Sequence, residues 1–170
     1  MNQEVRLALT GFMGVGKSSI ARHLEHMTGC RRIDLDSVIE ETAGRTIAEI
    51  IEAEGMDRFR EVETEALVKV MAANHGCILS LGGGTWTISA NRDLIKQSGF
   101  TSVWLESSFE HCWYNIKFSR KMRPLARDKE SARELFNERQ KVYCLADWHF
   151  LIRPGSTSYD VAVEIADQVL

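Results

Sequence analysis

Short apolar runs and amphipathic stretches alternate along almost the whole chain. The apolar runs predict five buried strands, at residues 5–9, 30–35, 77–81, 102–105 and 150–152. After the first run, Ile20, Leu24 and Met27 recur at i, i+4 and i+7, the spacing of one face of a helix. Strands separated by helices predict an α/β fold with a parallel sheet covered on both faces.

Local signals predict where the helices begin and end. Gly29 closes the first helix, and Thr46 followed by Glu49 is a capping box that opens another. Gly55 separates that helix from the next, so two consecutive helices are predicted between the second and third strands. Further helices are predicted at residues 90–97, 107–118, 131–146 and 159–170, with capping boxes at Ser107/Glu110 and Ser131/Glu134.

Length and charge limit the classes of function. A chain of 170 residues fits a single domain spanning residues 1–170. Its formal charge of −3 argues against nucleic acid and anionic membranes as partners, so any bound anion needs a few local cations. No export signal or membrane span is visible, which predicts a cytoplasmic protein. Its four cysteines are scattered and predict free thiols.

The sequence after the first strand carries the clearest chemistry. Residues 11–18, GFMGVGKS, match the phosphate-loop pattern G-x-x-x-x-G-K-[ST] and lie between a predicted strand and a predicted helix. Glycines let the backbone N–H groups surround an anion, and the helix start adds partial positive charge. Lys17 can reach the β- and γ-phosphates, and Ser18 can bind Mg²⁺. The pattern predicts nucleotide binding.

Other features favour a kinase among the nucleotide-binding classes. The third strand ends in glycines rather than in the acidic residue usual in motors and transporters, and the Asp-x-x-Gly and Asn-Lys-x-Asp elements of GTPases do not occur. Kinases that close over a second small substrate are therefore favoured. A kinase for another metabolite, such as gluconate, and a non-catalytic nucleotide-binding regulator remain as alternatives.

Two carboxylates follow the second predicted strand. Asp34 and Asp36 are two residues apart, so strand alternation would point both side chains the same way. One could support a magnesium ion, and the other could orient a hydroxyl and accept its proton. The alternative is that these residues only cap the following helix.

Two arginines could bind an anionic acceptor. Arg60 and Glu63 are three residues apart on a predicted helix, where the carboxylate could hold the guanidinium in place, or where the pair could be an ordinary exposed ion pair. Arg139 falls on an apolar stripe with Leu135 and Val142, and a buried guanidinium needs a partner. That partner could be a substrate carboxylate or a structural acid such as Glu63.

Two loops complete the predicted site. Residues 82–84 are three consecutive glycines after a buried strand, which would either let a substrate lie against the backbone or form a tight turn. Residues 120–127 contain four basic side chains among eight residues. This segment, about 118–128, could close on ATP as a lid or could be a solvated basic loop.

These segments, in this order, resemble the shikimate kinase family along nearly the whole chain. The matching segments are residues 11–18, 34–36, 59–63, 82–84 and 123–125, and Glu138-Arg139 with Tyr143. The resemblance implies a three-layer P-loop kinase fold like that of nucleoside monophosphate kinases, with a central five-stranded parallel sheet and a lid loop. It also implies magnesium-dependent transfer of the ATP γ-phosphate to the 3-hydroxyl of shikimate, in the pathway to chorismate and aromatic amino acids.

The resemblance also implies roles for individual residues. Lys17, Asp36 and Arg123 would be catalytic, and one Mg²⁺ per subunit would bind at Ser18 and Asp34. ATP would contact Gly14, Val15, Gly16, Lys17, Ser18, Ser19 and Arg123, and shikimate would contact Asp36, Arg60, Gly83 and Arg139. The chain is expected to be a monomer. It departs from the family at Ala126, commonly a leucine, and it has no clear match for an arginine that some members place near adenine.

Overall fold

Five parallel strands form one sheet with the first strand at its centre. The computed structural model describes residues 6–73 and 78–170. The strands are β1 (Leu7–Thr10), β2 (Arg32–Asp34), β3 (Ile78–Ser80), β4 (Thr101–Glu106) and β5 (Trp148–Leu151), in the order β2-β3-β1-β4-β5. Every pairing is parallel, and every residue of β1 is buried, so both faces of the sheet centre are covered. The predicted five-stranded parallel sheet is confirmed.

Helices connect the strands and cover the sheet. They are α1 (Lys17–Thr28), α2 (Leu35–Ala43), α3 (Ile47–Ala73), α4 (Ser89–Gln97), α5 (Phe109–Lys117), α6 (Lys129–Tyr143) and α7 (Ser158–Val169). Short 3₁₀ turns lie at Thr85–Thr87 and Pro124–Ala126. Helix α1 packs against β3 and α7, and α3 packs against α2 and α4. Parallel strands end at one edge, so the loops after β1, β2, β3 and β5 meet there.

Two predicted helix boundaries near the sheet edge are confirmed. Gly29 follows α1 in a left-handed conformation with φ of 71°. The Thr46 and Glu49 side chains form the expected capping box, because Glu49 N–H donates to Thr46 Oγ1 at 3.2 Å and Thr46 N–H donates to Glu49 Oε2 at 2.7 Å. The predicted break at Gly55 is also present, as a single non-helical residue inside α3.

Two predicted helix starts are wrong, and one helix was not predicted. A whole helix, α2, begins at Leu35, because the Asp34 carboxylate accepts a hydrogen bond from Ser37 N–H at 3.3 Å and ends the strand. Helix α5 is capped by Ser108 rather than Ser107, and α6 is capped by Asp128 rather than Ser131. At the starts of α2, α5 and α6, an oxygen of the capping side chain accepts a hydrogen bond from the backbone N–H three residues later.

The remaining general expectations concern thiols and membranes. Cys30, Cys112 and Cys144 are free thiols, whereas Cys77 and Val5, which were assigned to predicted strands, lie outside the described residues. Within residues 6–73 and 78–170, no helix has the length and apolar character needed to cross a bilayer.

We expect Gly55 to be required for its backbone conformation rather than for space. A Cβ at Gly55 or Gly44 would meet no atom within 4 Å, but Gly55 has φ 84° and ψ 170°, whereas Gly44 has φ 66° and ψ 19°. Asparagine tolerates the second conformation and not the first. Gly55→Asn should lower the free energy of unfolding by about 1–3 kcal/mol in urea denaturation. The control Gly44→Asn should cost less; equal losses would contradict this explanation.

Candidate active site

The loop between β1 and α1 leaves the start of a helix free to bind an anion. Gly16 precedes α1 with φ of 106° and offers no side chain to cap it. The helices α2, α5, α6 and α7 begin differently, because at each of them a side-chain oxygen accepts a backbone N–H. The first N–H groups of α1 therefore remain available, and they lie at the positive end of the helix dipole.

Lys17 lies folded back along this loop. Its Nζ donates to the carbonyl oxygens of Gly11 at 2.6 Å and Phe12 at 3.0 Å. Burial lowers the pKa of Lys17 to about 8, and the positive charge of Arg123 contributes to the decrease. Both effects disfavour the ammonium form, so an anion bound in the loop would relieve an unfavourable electrostatic environment.

Ser18 and Asp34 place two hard oxygen ligands side by side. Ser18 Oγ donates to Asp34 Oδ2 at 2.7 Å, while Asp34 Oδ1 caps α2. The capping role and a metal-binding role are therefore compatible, because they use different oxygens. Among the described residues no group of three or more His, Cys, Asp or Glu side chains could hold a metal ion. A hydroxyl and one carboxylate fit Mg²⁺, which keeps waters and takes further oxygens from phosphates.

Two cavities meet at the sheet edge. The phosphate-loop cavity, about 470 Å³, is lined chiefly by residues 13–20, the Asp34/Asp36 pair and residues 80–83. The arginine cavity, about 450 Å³, is lined chiefly by Arg60, Glu63, Arg139, residues 82–84 and residues 120–125. They share Met13, Asp36, Gly82, Gly83, Lys121 and Arg123. A group bound in one cavity can therefore contact a group bound in the other at this junction.

Asp36 lies at the junction for a different reason from the one predicted. It occupies the first turn of α2 rather than a strand, so the alternation argument for the Asp34/Asp36 pair is wrong. Both carboxylates nevertheless line the phosphate-loop cavity, because the helix begins at once after Asp34. Asp36 Oδ2 forms an ion pair with Lys121 Nζ at 3.2 Å. One basic side chain of segment 118–128 thus already reaches the junction.

The three glycines after β3 make room for the charged side chains. A Cβ on Gly82 would lie 2.9 Å from Asp36 Oδ1 and 2.8 Å from Glu63 Oε2. A Cβ on Gly83 would lie 2.9 Å from Arg139 Nη1, and a Cβ on Gly84 would overlap the Arg60 guanidinium. Each glycine is therefore in close contact with a different part of the charged cluster. A side chain at any of these positions would displace it.

Glu63 holds Arg60 in place, which was one of the two possibilities that the sequence left open. Arg60 Nη1 lies 2.7 Å from Glu63 Oε1, and Thr85 Oγ1 donates to Glu63 Oε2 at 2.7 Å. The Glu63 side chain is 1% exposed and the Arg60 side chain 23%. The pair is therefore not an ordinary exposed helix ion pair, because a buried and fully hydrogen-bonded carboxylate orients the arginine toward the cavity.

Arg139 is buried as the apolar stripe predicted, but Glu63 is not its ion-pair partner. The residue is 6% exposed, and no described carboxylate forms an ion pair with it. Burial lowers its pKa, and the neighbouring Tyr143 opposes that decrease. The Tyr143 hydroxyl also donates to the Gly83 carbonyl oxygen at 2.5 Å. The Arg139 cation therefore lacks a carboxylate of its own and faces the cavity.

Segment 118–128 brings Arg123 to the junction as well. Arg123 Nε is buried and has no hydrogen-bond partner among the described residues. Burial lowers the pKa of Arg123, while Asp36 acts in the opposite direction. Both cavities are lined by this side chain. Such an unpaired buried donor is a ready partner for an anion.

Sequence reasoning missed several lining residues. His111 and Asn115 of α5 and residues 156–158 after β5 line the phosphate-loop cavity, and Glu40, residues 46–48 and Ile51 line the arginine cavity. The position of residues 156–158 after a strand's carboxyl end was a usable signal. The others belong to no motif. Trp113 stacks on Phe109 and Trp148 on Phe150, so aromatic packing accounts for these two tryptophans.

Comparison with known proteins identifies the family. A sequence model of the shikimate kinase family matches residues 13–170. The shikimate kinase of Streptococcus thermophilus is 38% identical over 138 residues, covering 79% of this chain and 82% of that protein. The shikimate kinase of Geobacter sulfurreducens is 37% identical over 163 residues, covering 94% and 88%.

A solved structure agrees with the sequence comparisons. The shikimate kinase of Acinetobacter baumannii in complex with shikimate superposes with a TM-score of 0.89 at 30% identity, covering 97% of this chain and 92% of that one. The family model and these relatives cover most of the described residues and both cavities. The chain belongs to the shikimate kinase family.

Proposed function

We propose that this chain transfers the γ-phosphate of ATP to the 3-hydroxyl of shikimate, giving shikimate 3-phosphate and ADP. This reaction would supply the pathway to chorismate and the aromatic amino acids. The observation that carries the proposal is the junction at Asp36, where a phosphate-loop cavity meets a cavity containing Arg60 and Arg139. We further propose a cytoplasmic, monomeric, single-domain enzyme.

ATP would bind with its phosphates at the start of α1. The residues assigned to it are Gly14, Val15, Gly16, Lys17, Ser18, Ser19 and Arg123. The free N–H groups of the helix would bind phosphate oxygens, and Lys17 would exchange its two carbonyl partners for the β- and γ-phosphates. Arg123, which has an unpaired Nε, would approach the γ-phosphate from segment 118–128 acting as a lid.

Mg²⁺ would be held by Ser18 and Asp34, whose oxygens already lie 2.7 Å apart. The chemistry that the ion would supply at these two oxygens is neutralisation of phosphate charge. Asp34 keeps its second oxygen on the α2 backbone, so its carboxylate is fixed in orientation before any ion arrives.

Shikimate would bind in the arginine cavity through its carboxylate. Arg60 and Arg139 supply two cations within one cavity, and the partly buried backbone of Gly83, which lines it, supplies a surface for the ring. Asp36 would accept a hydrogen bond from the 3-hydroxyl and could take its proton as the oxygen bonds to phosphorus. Lys17 and Arg123 would stabilise the charge on the transferring group, and lid closure would exclude water.

The first test is acceptor-dependent turnover. Purified protein with Mg-ATP should release ADP when shikimate is added, in an assay that couples ADP to NADH oxidation. A panel including gluconate and other hydroxylated acids should give at most a small fraction of that rate. Faster turnover of another acid would reassign the substrate, and nucleotide binding without any turnover would favour a regulator.

Asp36→Asn should separate chemistry from nucleotide binding. The amide keeps the size of the side chain but cannot accept the hydroxyl proton, so kcat should fall by about 10²-fold or more. The dissociation constant for ADP, measured by calorimetry, should stay within about twofold. Glu41→Gln, on the exposed side of the same helix, is the matched control. A comparable loss of ADP affinity in Asp36→Asn would contradict the role.

Arg139→Lys should weaken binding of the acceptor. Lysine keeps the charge but loses the planar guanidinium, and a lost charged hydrogen bond is worth about 1.5–3 kcal/mol. The KM for shikimate should therefore rise by about 10- to 100-fold, with the KM for ATP changed less than about threefold. Arg133→Lys, whose ion pair with Glu110 is exposed, should leave both values unchanged. An unchanged shikimate KM in Arg139→Lys would make Arg139 structural.

A further inference from the structure

The phosphate loop lies directly against α5. Gly14 has φ of 80°, and a Cβ at this position would lie 2.6 Å from the Cys112 carbonyl oxygen and 3.0 Å from Ile116 Cγ1. A contact this close to a helix backbone is possible only without a side chain. Helix α5 therefore packs directly against the phosphate loop.

Asn115 joins the same two elements by a hydrogen bond. Its Nδ2 donates to the Gly14 carbonyl oxygen at 2.8 Å, across 101 positions of sequence. The reverse orientation of the amide would place two oxygens face to face, so the carbonyl fixes which way the amide points. The same Nδ2 also lies 3.2 Å from His111 Nε2 on the preceding turn of α5.

This bond fixes one peptide plane of the phosphate loop. The Gly14 carbonyl and the Val15 N–H belong to one planar unit, and Val15 N–H donates to the Phe12 carbonyl oxygen at 3.2 Å. Asn115 therefore holds the carbonyl end of this peptide plane, and the hydrogen bond to Phe12 within the loop holds the N–H end. The first uncapped N–H group of α1, that of Lys17, lies only two peptide units further along the chain, so its direction depends on this plane.

We infer that Asn115 is a positioning residue for the nucleotide phosphates, acting through the Gly14 carbonyl. This inference rests on the proposed role of the loop in binding ATP. Without Asn115 the Gly14 carbonyl would lose its partner, and the peptide plane could rotate and misdirect the N–H groups that bind phosphate. The arginine cavity, which Asn115 does not line, should keep its affinity for the acceptor.

The test compares Asn115→Ala with Asn115→Leu, which fills the space but cannot donate. In the presence of Mg²⁺, both variants should bind ADP about five- to tenfold more weakly, as measured by calorimetry. Their affinity for inorganic tripolyphosphate should fall by a similar factor. The KM for shikimate should stay within about twofold. Glu110→Ala, on the same helix with only exposed ion pairs to Lys129 and Arg133, should bind both probes like the unmodified chain.

Three results would overturn the inference. ADP affinity unchanged in both variants would show that the bond has no role in binding, and normal affinity in Asn115→Leu alone would show that only volume matters. A lower affinity for ADP together with an unchanged affinity for tripolyphosphate would indicate that Asn115 contacts the base or the ribose directly. Thermal unfolding of each variant checks that the fold is retained. Because ADP binding is measured directly, a failure of shikimate turnover would affect the proposed function and not this inference.

Discussion

The charged cluster of this enzyme depends on one turn that has no side chains. Residues 82–84 follow β3 at the sheet edge. A Cβ on this turn would overlap the Arg60 guanidinium, or would lie 2.9 Å from Arg139 Nη1 or from Asp36 Oδ1. Two cations and a carboxylate could not otherwise approach the same short piece of backbone. The turn thus brings Asp36, which faces the nucleotide side, next to the arginines of the acceptor side.

The cations near this turn are held in different ways, and the difference has a physical reason. Arg60 has a buried carboxylate partner in Glu63, which fixes its direction. Among the described residues, neither Arg139 nor Arg123 forms an ion pair with a carboxylate, and burial lowers the pKa of both. A buried cation without a matched partner costs free energy in the unliganded fold. An anionic ligand would remove that cost, so the buried cations favour an anion in these cavities.

Sequence patterns gave the architecture more completely than the site. The sheet, the break at Gly55 and the buried position of Arg139 follow from local periodicity, because burial on one face leaves a repeat in the chain. Helix α2 was missed because Asp34 and Asp36 fit strand alternation as well as a helix cap, and only the bond to Ser37 decides between them. Asn115 could not have been found from sequence, since its bond to Gly14 depends on how α5 packs against a loop 101 residues away.

That packing has a consequence for how the two halves of the site could act together. Helix α5 contacts the phosphate loop through Asn115 and ends at Lys117, immediately before the segment that carries Lys121 and Arg123. The phosphate loop therefore contacts the same helix from which segment 118–128 extends. Lys121 meanwhile contacts Asp36, the carboxylate proposed to accept a hydrogen bond from the acceptor hydroxyl. An acceptor hydroxyl that bonds to Asp36 Oδ2 would compete with Lys121 for that oxygen, so acceptor binding and the position of segment 118–128 are linked through one carboxylate.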